Sequence, residues 1–239
     1  MRAVRAELAK LGTLPSVWLA GALALVVPAG IALLNSRVHG PDRGYQELAF
    51  GVLGVIVLGV VAVSSEYLTE GADAGGGRQL TTSLTAVPSR VRFLAAKAAA
   101  VVLVAVPLAF AATAATMGIV HVTLAERAAA LDAGRLAGVV CYWTYTALLA
   151  FAITVLLRHG IVPLTVLLVN TSVVSVTFLL TKVTPLAYYF PDMAGMRMFV
   201  GEIADDQVVI SPLVGLLVMS AWVAGLLALA GAVFTRRDA

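Results

Sequence analysis

The sequence predicts an all-α polytopic membrane protein with six transmembrane helices. Three observations carry that expectation. Mean hydropathy is +0.98 and 61% of the 239 residues are apolar, while 12% are charged, against about 25% in soluble domains. The apolar residues gather in runs of the length that a helix needs to cross a bilayer, about 20 residues. No run carries a charged side chain at its centre, where each would cost about 2.5–3.5 kcal/mol on insertion scales. Polar loops separate the runs and no internal repeat divides the chain, so residues 1–239 are read as a single transmembrane domain.

The elements follow in order. Residues 2–11 are amphipathic: Val4, Leu8 and Leu11 recur at helical spacing, with Arg2, Arg5, Glu7 and Lys10 facing away. Such a helix lies in the membrane interface. The apolar run behind it is longer than the 7–15 residues of a signal-peptide core, so it is read as a retained first span, about 16–34, anchored by Trp18 and bent at Pro28. The second span is about 48–65, behind the polar loop 35–46. The third is about 93–120, long enough to tilt or to extend into the cytoplasm, with Lys97 one turn inside and snorkelling back to the headgroups.

Loop 121–135 precedes the fourth span, about 136–157, whose Tyr142, Trp143 and Tyr145 pack in the bundle or sit at the interface. Arg158-His159-Gly160 is a tight turn. The fifth span is about 161–181 and the sixth about 211–234. Between them lies TPLAYYFPDMAG, with three aromatic residues and two prolines. Ser220, Ala224, Ala228 and Ala232 in the sixth span, and Ala96/Ala100 and Ala111/Ala115 in the third, form small-xxx-small rows. Such rows are more often intramolecular packing than a dimer seam.

Charge sets the orientation. With the N-terminus inside, the cytoplasmic Lys and Arg are Arg2, Arg5, Lys10, Arg78, Arg90, Arg92, Lys97, Arg158, Arg236 and Arg237. The outer ones are Arg37, Arg43, Arg127, Arg135, Lys182 and Arg197. Ten against six obeys the positive-inside rule and puts both termini in the cytoplasm.

Catalytic chemistry is hard to find. Cys141 is the single cysteine, so no internal disulfide framework exists. His39, His121 and His159 are scattered, and no His/Cys/carboxylate spacing matches a metal site. GADAGGGR, 71–78, lacks the GK[ST] ending of a phosphate loop. The chain is therefore expected to be no enzyme and to hold no cofactor. Asp205-Asp206 reads as a solvated loop edge. Asn170, Thr171, Ser172 and Ser175 are the most polar run inside a span. Interhelical hydrogen bonding is their commoner use, and a substrate path through Asn170, Thr171 and Ser175 is the alternative.

The informative stretch is 66–97, EYLTEGADAGGGRQLTTSLTAVPSRVRFLAAK. Leu80, Leu84 and Val87 fall at i, i+4 and i+7 and make one apolar face on a short helix between two spans. Glu66 closes the second span, Pro88-Ser89-Arg90 follows the short helix, and Lys97 comes soon after. With the amphipathic start (Glu7, Lys10, Leu11), PDMAG at 191–195 and the ending Arg236-Arg237-Asp238, this order resembles that of type-2 ABC transporter permeases, the six-span membrane subunits of many bacterial exporters. The Gly-rich 71–77 segment departs from that pattern, which has a tighter turn there.

The resemblance implies a cell inner (plasma) membrane protein that pairs with a second permease subunit, identical or related. It implies separate ATPase subunits that bind ATP and magnesium and dock on the 66–92 coupling loop. Glu66, Leu80, Leu84, Val87 and Arg90 would then be the ATPase interface, in an efflux system with the lipid bilayer and no nucleic acid as its surroundings. A membrane scaffold or assembly factor using the same loop as a partner handle is the competing expectation. An ion-coupled transporter is disfavoured by the lack of charge at span centres.

Overall fold

A computed structural model describes residues 2–35, 42–67, 89–124, 130–172, 175–201 and 208–236. Leu80, Leu84 and Val87 lie outside the described residues. All regular structure within them is helical: α1 (Arg2–Thr13), α2 (Pro15–Leu34), α3 (Tyr45–Ser64), α4 (Arg90–Leu124), α5 (Ala133–Leu157), α6 (Ile161–Ser172), α7 (Val176–Thr181), α8 (Pro191–Met196) and α9 (Pro212–Arg236). Two 3₁₀ turns, Ser65–Tyr67 and Pro185–Tyr189, extend α3 and precede α8. Helix is the form these apolar runs must take, because it closes every backbone hydrogen bond within the segment.

Five of the helices, α2, α3, α4, α5 and α9, are long and apolar enough to cross a membrane. They coincide with the first, second, third, fourth and sixth expected spans. At a rise of 1.5 Å per residue, the 35 residues of α4 reach about 52 Å, well beyond a hydrocarbon core of about 30 Å. The expected span 161–181 is interrupted. Ser175 is extended (φ −67°, ψ 101°) and its hydroxyl accepts from the Phe178 N–H at 3.0 Å, starting a new helix. The cause is local: Ser, Thr and Asn side chains offer the backbone alternative hydrogen bonds and favour caps over helix interiors. The piece before the break, α6, has 12 residues and spans about 18 Å.

Helices α3 and α5 form the centre. Over the apolar window of each, 67% and 61% is buried, against 22% for α2 and α9. Their seam is built on missing side chains. A Cβ on Gly59 would collide with the Ala147 carbonyl oxygen, and one on Gly51 with the Trp143 ring. The Trp143 indole N–H donates to the Leu48 carbonyl at 3.1 Å. On its other side, Gly54 faces the α2 row Ala20, Ala24. Without a hydrophobic force between helices in lipid, such close backbone approach is what holds them together.

The small-residue rows were expected to pack internally, and the structure divides them. Ala96 and Ala100 are buried, but Ala111 and Ala115 are exposed. On α9, Ser220 is half-buried and donates to the Tyr145 hydroxyl at 3.1 Å, while Ala224, Ala228 and Ala232 are exposed. Helix α9 instead buries Gly215, Met219, Val223, Ala230 and Phe234. Spacing identifies a face of a helix; it does not say which face has a neighbour.

The 185–196 segment is a helical hairpin with proline at the first position of each arm, where its missing N–H costs nothing. Ala187, Tyr188, Met193 and Ala194 are buried. Trp222 donates to the Tyr189 carbonyl at 2.9 Å. Trp222 is ten residues into α9, about 15 Å along it, so the hairpin packs beside α9 at that depth, while Leu186, Tyr189 and Phe190 stay exposed.

The bundle has two well-defined ends. One gathers α1, the end of α3, the start of α4 and the end of α9. The other gathers Asp42–Glu47, the start of α5 and 197–201. Because Gly59 sits against a backbone atom, Gly59→Ala is expected to destabilise the bundle by about 1–3 kcal/mol. Gly225→Ala, whose added Cβ meets nothing within 4 Å, is expected to leave stability unchanged. Unfolding of both variants in detergent, followed by circular dichroism, checks this.

Candidate functional site

At the α1 end, four charged side chains from two helices, α1 and α4, and the 3₁₀ turn after α3 converge. Glu66 lies in the 3₁₀ turn that extends α3, and its side chain turns inward, with the residue 2% exposed. Its Oε1 accepts from Lys10 Nζ at 2.7 Å and is 2.9 Å from Lys97 Nζ. Lys97 also donates to Glu7 Oε2 at 2.7 Å and to the Ala62 carbonyl at 3.1 Å. An ammonium has three donors, and these three acceptors match them. The Phe93 ring centroid lies 5.3 Å from the same nitrogen and Phe93 stacks on Phe234, which closes the cluster from the α9 side.

Two expectations are corrected here. Lys97 does not snorkel to the headgroups: it is 5% exposed and ion-paired inside the bundle. Glu7 does not face away from the apolar side of α1: it is 7% exposed and meets Lys97. The physical reason is mutual. Two carboxylates and two ammoniums neutralise each other, and neither Lys97 nor Glu7 would stay buried alone, given a desolvation cost of several kcal/mol per ion.

The expected partner-binding residues divide between described and undescribed positions. Glu66 and Arg90, either side of residues 68–88, are both held by the bundle. Arg90 Nη1 donates to the Phe234 carbonyl at 3.2 Å, near the α9 C-terminus, where helix carbonyls lack intrahelical partners. Close by, the turn after α5 packs on the same end. Arg158 is left-handed (φ 54°), and a Cβ on Gly160 would lie 2.7 Å from Ser64 Cβ.

Asn170, Thr171 and Ser175 are brought together around the helix break. Asn170 Nδ2 donates to Asp192 Oδ2 at 2.8 Å, and its Oδ1 accepts from the Thr177 N–H at 3.3 Å. One side chain thus ties α6 to α7 and to the hairpin. Thr171 donates back to the Leu167 carbonyl at 2.9 Å, and Ser175 caps α7.

The sequence reading missed Glu7 and Lys10 as partners of Glu66 and Lys97. It also missed a second charged clamp at the other end. Asp42 accepts from Arg135 Nη2 at 2.6 Å and from the Gly201 N–H at 3.0 Å. Arg135 also donates to the Phe199 carbonyl at 2.7 Å and lies 3.7 Å over the Tyr45 ring. The signal available was the presence of both signs at each end of the spans, without any indication of pairing. Among the described residues, no three His, Cys, Asp or Glu side chains are grouped as metal ligands.

Comparison with known proteins finds no matching family model and no matching curated relative. Function is therefore argued from the residues and their geometry. Removing Lys97 leaves Glu7 without its ammonium, so Lys97→Met is expected to cost about 3–5 kcal/mol of stability. Adding Glu7→Gln should recover part of that loss. A double-mutant cycle on unfolding midpoints measures the coupling, and additive losses would mean that the pair contributes nothing specific.

Proposed function

We propose that the chain is the membrane subunit of an ATP-driven bacterial exporter. In this reading the α1 end is cytoplasmic and the 66–92 loop docks on a separate ATPase subunit, which binds the ATP and magnesium. The chain pairs with a second permease subunit to enclose the substrate path. The observation that carries the proposal is the anchoring of both flanks of that loop. Glu66 is tied to α1 through Lys10 and to α4 through Lys97, and Arg90 is tied to the end of α9. A push on a segment held this way moves α1, α3, α4 and α9 together. That is the mechanical requirement for converting docking at a loop into a rearrangement of the bundle. The apolar face of Leu80, Leu84 and Val87 supplies the docking contact, a few anchors set in a groove.

The reading includes six passes. Chain continuity supports the sixth. The α6 helix begins beside Ser64, at the α1 end, and Gly201 meets Asp42 at the opposite end. The broken pair α6 and α7, with the hairpin, makes the crossing. In this reading Asn170, Thr171 and Ser175, around the helix break, line the substrate path. A membrane scaffold would use the same handle without substrate-dependent ATP turnover.

Two experiments test these statements. Leu84→Asp and Val87→Asp should each abolish co-purification with the ATPase subunit and substrate-stimulated ATP hydrolysis in vesicles. Retention of both activities would refute docking through this face, and binding without turnover would favour the scaffold. For topology, cysteines replace Ser36, Thr85 and Asp205 one at a time in a Cys141→Ser background. An impermeant maleimide added outside cells should label positions 36 and 205 but not 85.

A further inference from the structure

A lipid-facing groove of about 260 Å³ opens beside the charge cluster. Its walls are Leu8 and Gly12 of α1 and Trp18 and Gly21 of α2, and its floor is Leu58 of α3 and Val104 of α4. The lining is almost wholly apolar. It is open beside two glycines: a Cβ on Gly12 or Gly21 would meet nothing within 4 Å. Leu58 lies eight residues before Glu66 and Val104 seven after Lys97. The groove therefore runs about 10–12 Å deeper into the bundle than the ion pairs, which is acyl-chain depth beneath an interface.

The rim has a charge to match. Arg5 precedes Leu8 by three residues and Gly12 by seven, so it shares their flank of α1. Lys10 points the other way, to Glu66. Arg5 is exposed and has no hydrogen-bond or ion-pair partner among the described residues. Arg2, also exposed, stands one turn further out. Trp18, 71% exposed, donates its indole N–H to the Gly12 carbonyl at 3.0 Å. That bond fixes the ring at the groove mouth, the amphipathic position favoured at a membrane interface.

We propose that this groove is a binding site for an anionic phospholipid: one acyl chain lies between α1 and α2 along Gly12 and Gly21, and the phosphate meets the Arg5 guanidinium. Charge complementarity selects this occupant. An apolar slot alone would take any chain, but the Arg5 guanidinium, one turn along α1 from Leu8 on the same flank, can form charge-assisted, bidentate contacts with phosphate, and basic residues at a surface favour anionic lipid. The site requires membrane insertion and no ATPase partner, so it stands independently of the exporter reading.

Trp18 makes the site measurable by quenching with brominated lipid. The full chain carrying Trp222→Phe is reconstituted in phosphatidylcholine vesicles. This leaves Trp18 and Trp143, and Trp143 is fully buried. Dibrominated phosphatidylglycerol is expected to displace parent lipid at Trp18 with about five-fold preference over dibrominated phosphatidylcholine. Arg5→Gln should bring that ratio close to one, and Arg5→Lys should retain most of it. Gly21→Leu, whose Cβ has open space around it, puts a side chain into the slot and should lower quenching by both lipids. Equal quenching by the two lipids overturns the proposal, as does a preference that survives Arg5→Gln. Unchanged quenching in Gly21→Leu overturns the acyl-chain slot. A Trp18 that neither lipid quenches means that protein, such as a second copy of this chain, covers the face, and this also refutes the site.

Discussion

The fold at the α1 end depends on one buried ammonium. Lys97 comes from α4, seven residues inside its start, and its three protons go to Glu7, Glu66 and the Ala62 carbonyl. Among the described residues, Lys97 is the ammonium paired with both carboxylates, and Lys10 adds a second contact to Glu66. The arrangement is all-or-none. With every member in place, the cluster is neutral and its donors are used. With one missing, a charge is left in a poorly solvated place, where breaking a pair is costly although the pair itself adds little net stability. Such a cluster does more to specify which helices meet than to make the bundle strong. It fixes α1 against α3 and α4, and so sets where both ends of residues 68–88 are held.

The centre of the bundle obeys a different constraint. Lipid offers apolar surface as freely as a neighbouring helix does, so helices associate where backbones approach closely. Gly51, Gly54 and Gly59 along α3 provide this on two sides, against α5 and α2. Together the two constraints account for the layering. Small residues choose α3 and α5 as the core; Lys97 at one end holds α1 and α4 against it, and Arg135 at the other ties α5 to the segments before α3 and after α8.

What the sequence disclosed follows from the same physics. Hydropathy marks segments, so helices α2, α3, α4, α5 and α9 were legible to within a few residues, and so was the tight turn at Arg158-His159-Gly160, though not its left-handed Arg158. Pairings were not legible, because each is a distance between residues far apart in the chain. Glu7 and Lys97 are separated by 90 positions, and a helical wheel of 2–11 assigns Glu7 to the polar face only because it assumes water there. Ala224, Ala228 and Ala232 carry the spacing of an interface but face outward, since Met219, Val223 and Phe234 fill the groove against α4 and α5. Of the expected contact residues, Glu66 and Arg90 emerged as fixed points of the bundle. Leu80, Leu84 and Val87 lie beyond the described residues.

The break at Ser175 shows how a polar run inside an apolar segment is resolved. Asn170 has both an acceptor and a donor to place in a region where water is scarce. A continuous helix would leave both looking for partners on a neighbouring helix. Breaking the helix supplies them locally: the Thr177 N–H, freed at the start of α7, goes to Asn170 Oδ1, and the amide donors turn to Asp192 on the hairpin. Asp192 in turn sits in the first turn of α8, where the helix dipole favours a carboxylate. Break and hairpin are therefore one unit. Neither α6 nor α8 alone satisfies its polar groups, and the side chain that joins them is the one whose hydropathy least suits a span. A substitution at Asn170 would act on α6, α7 and α8 together, so the hairpin's depth beside Trp222 is set from the far side of the break.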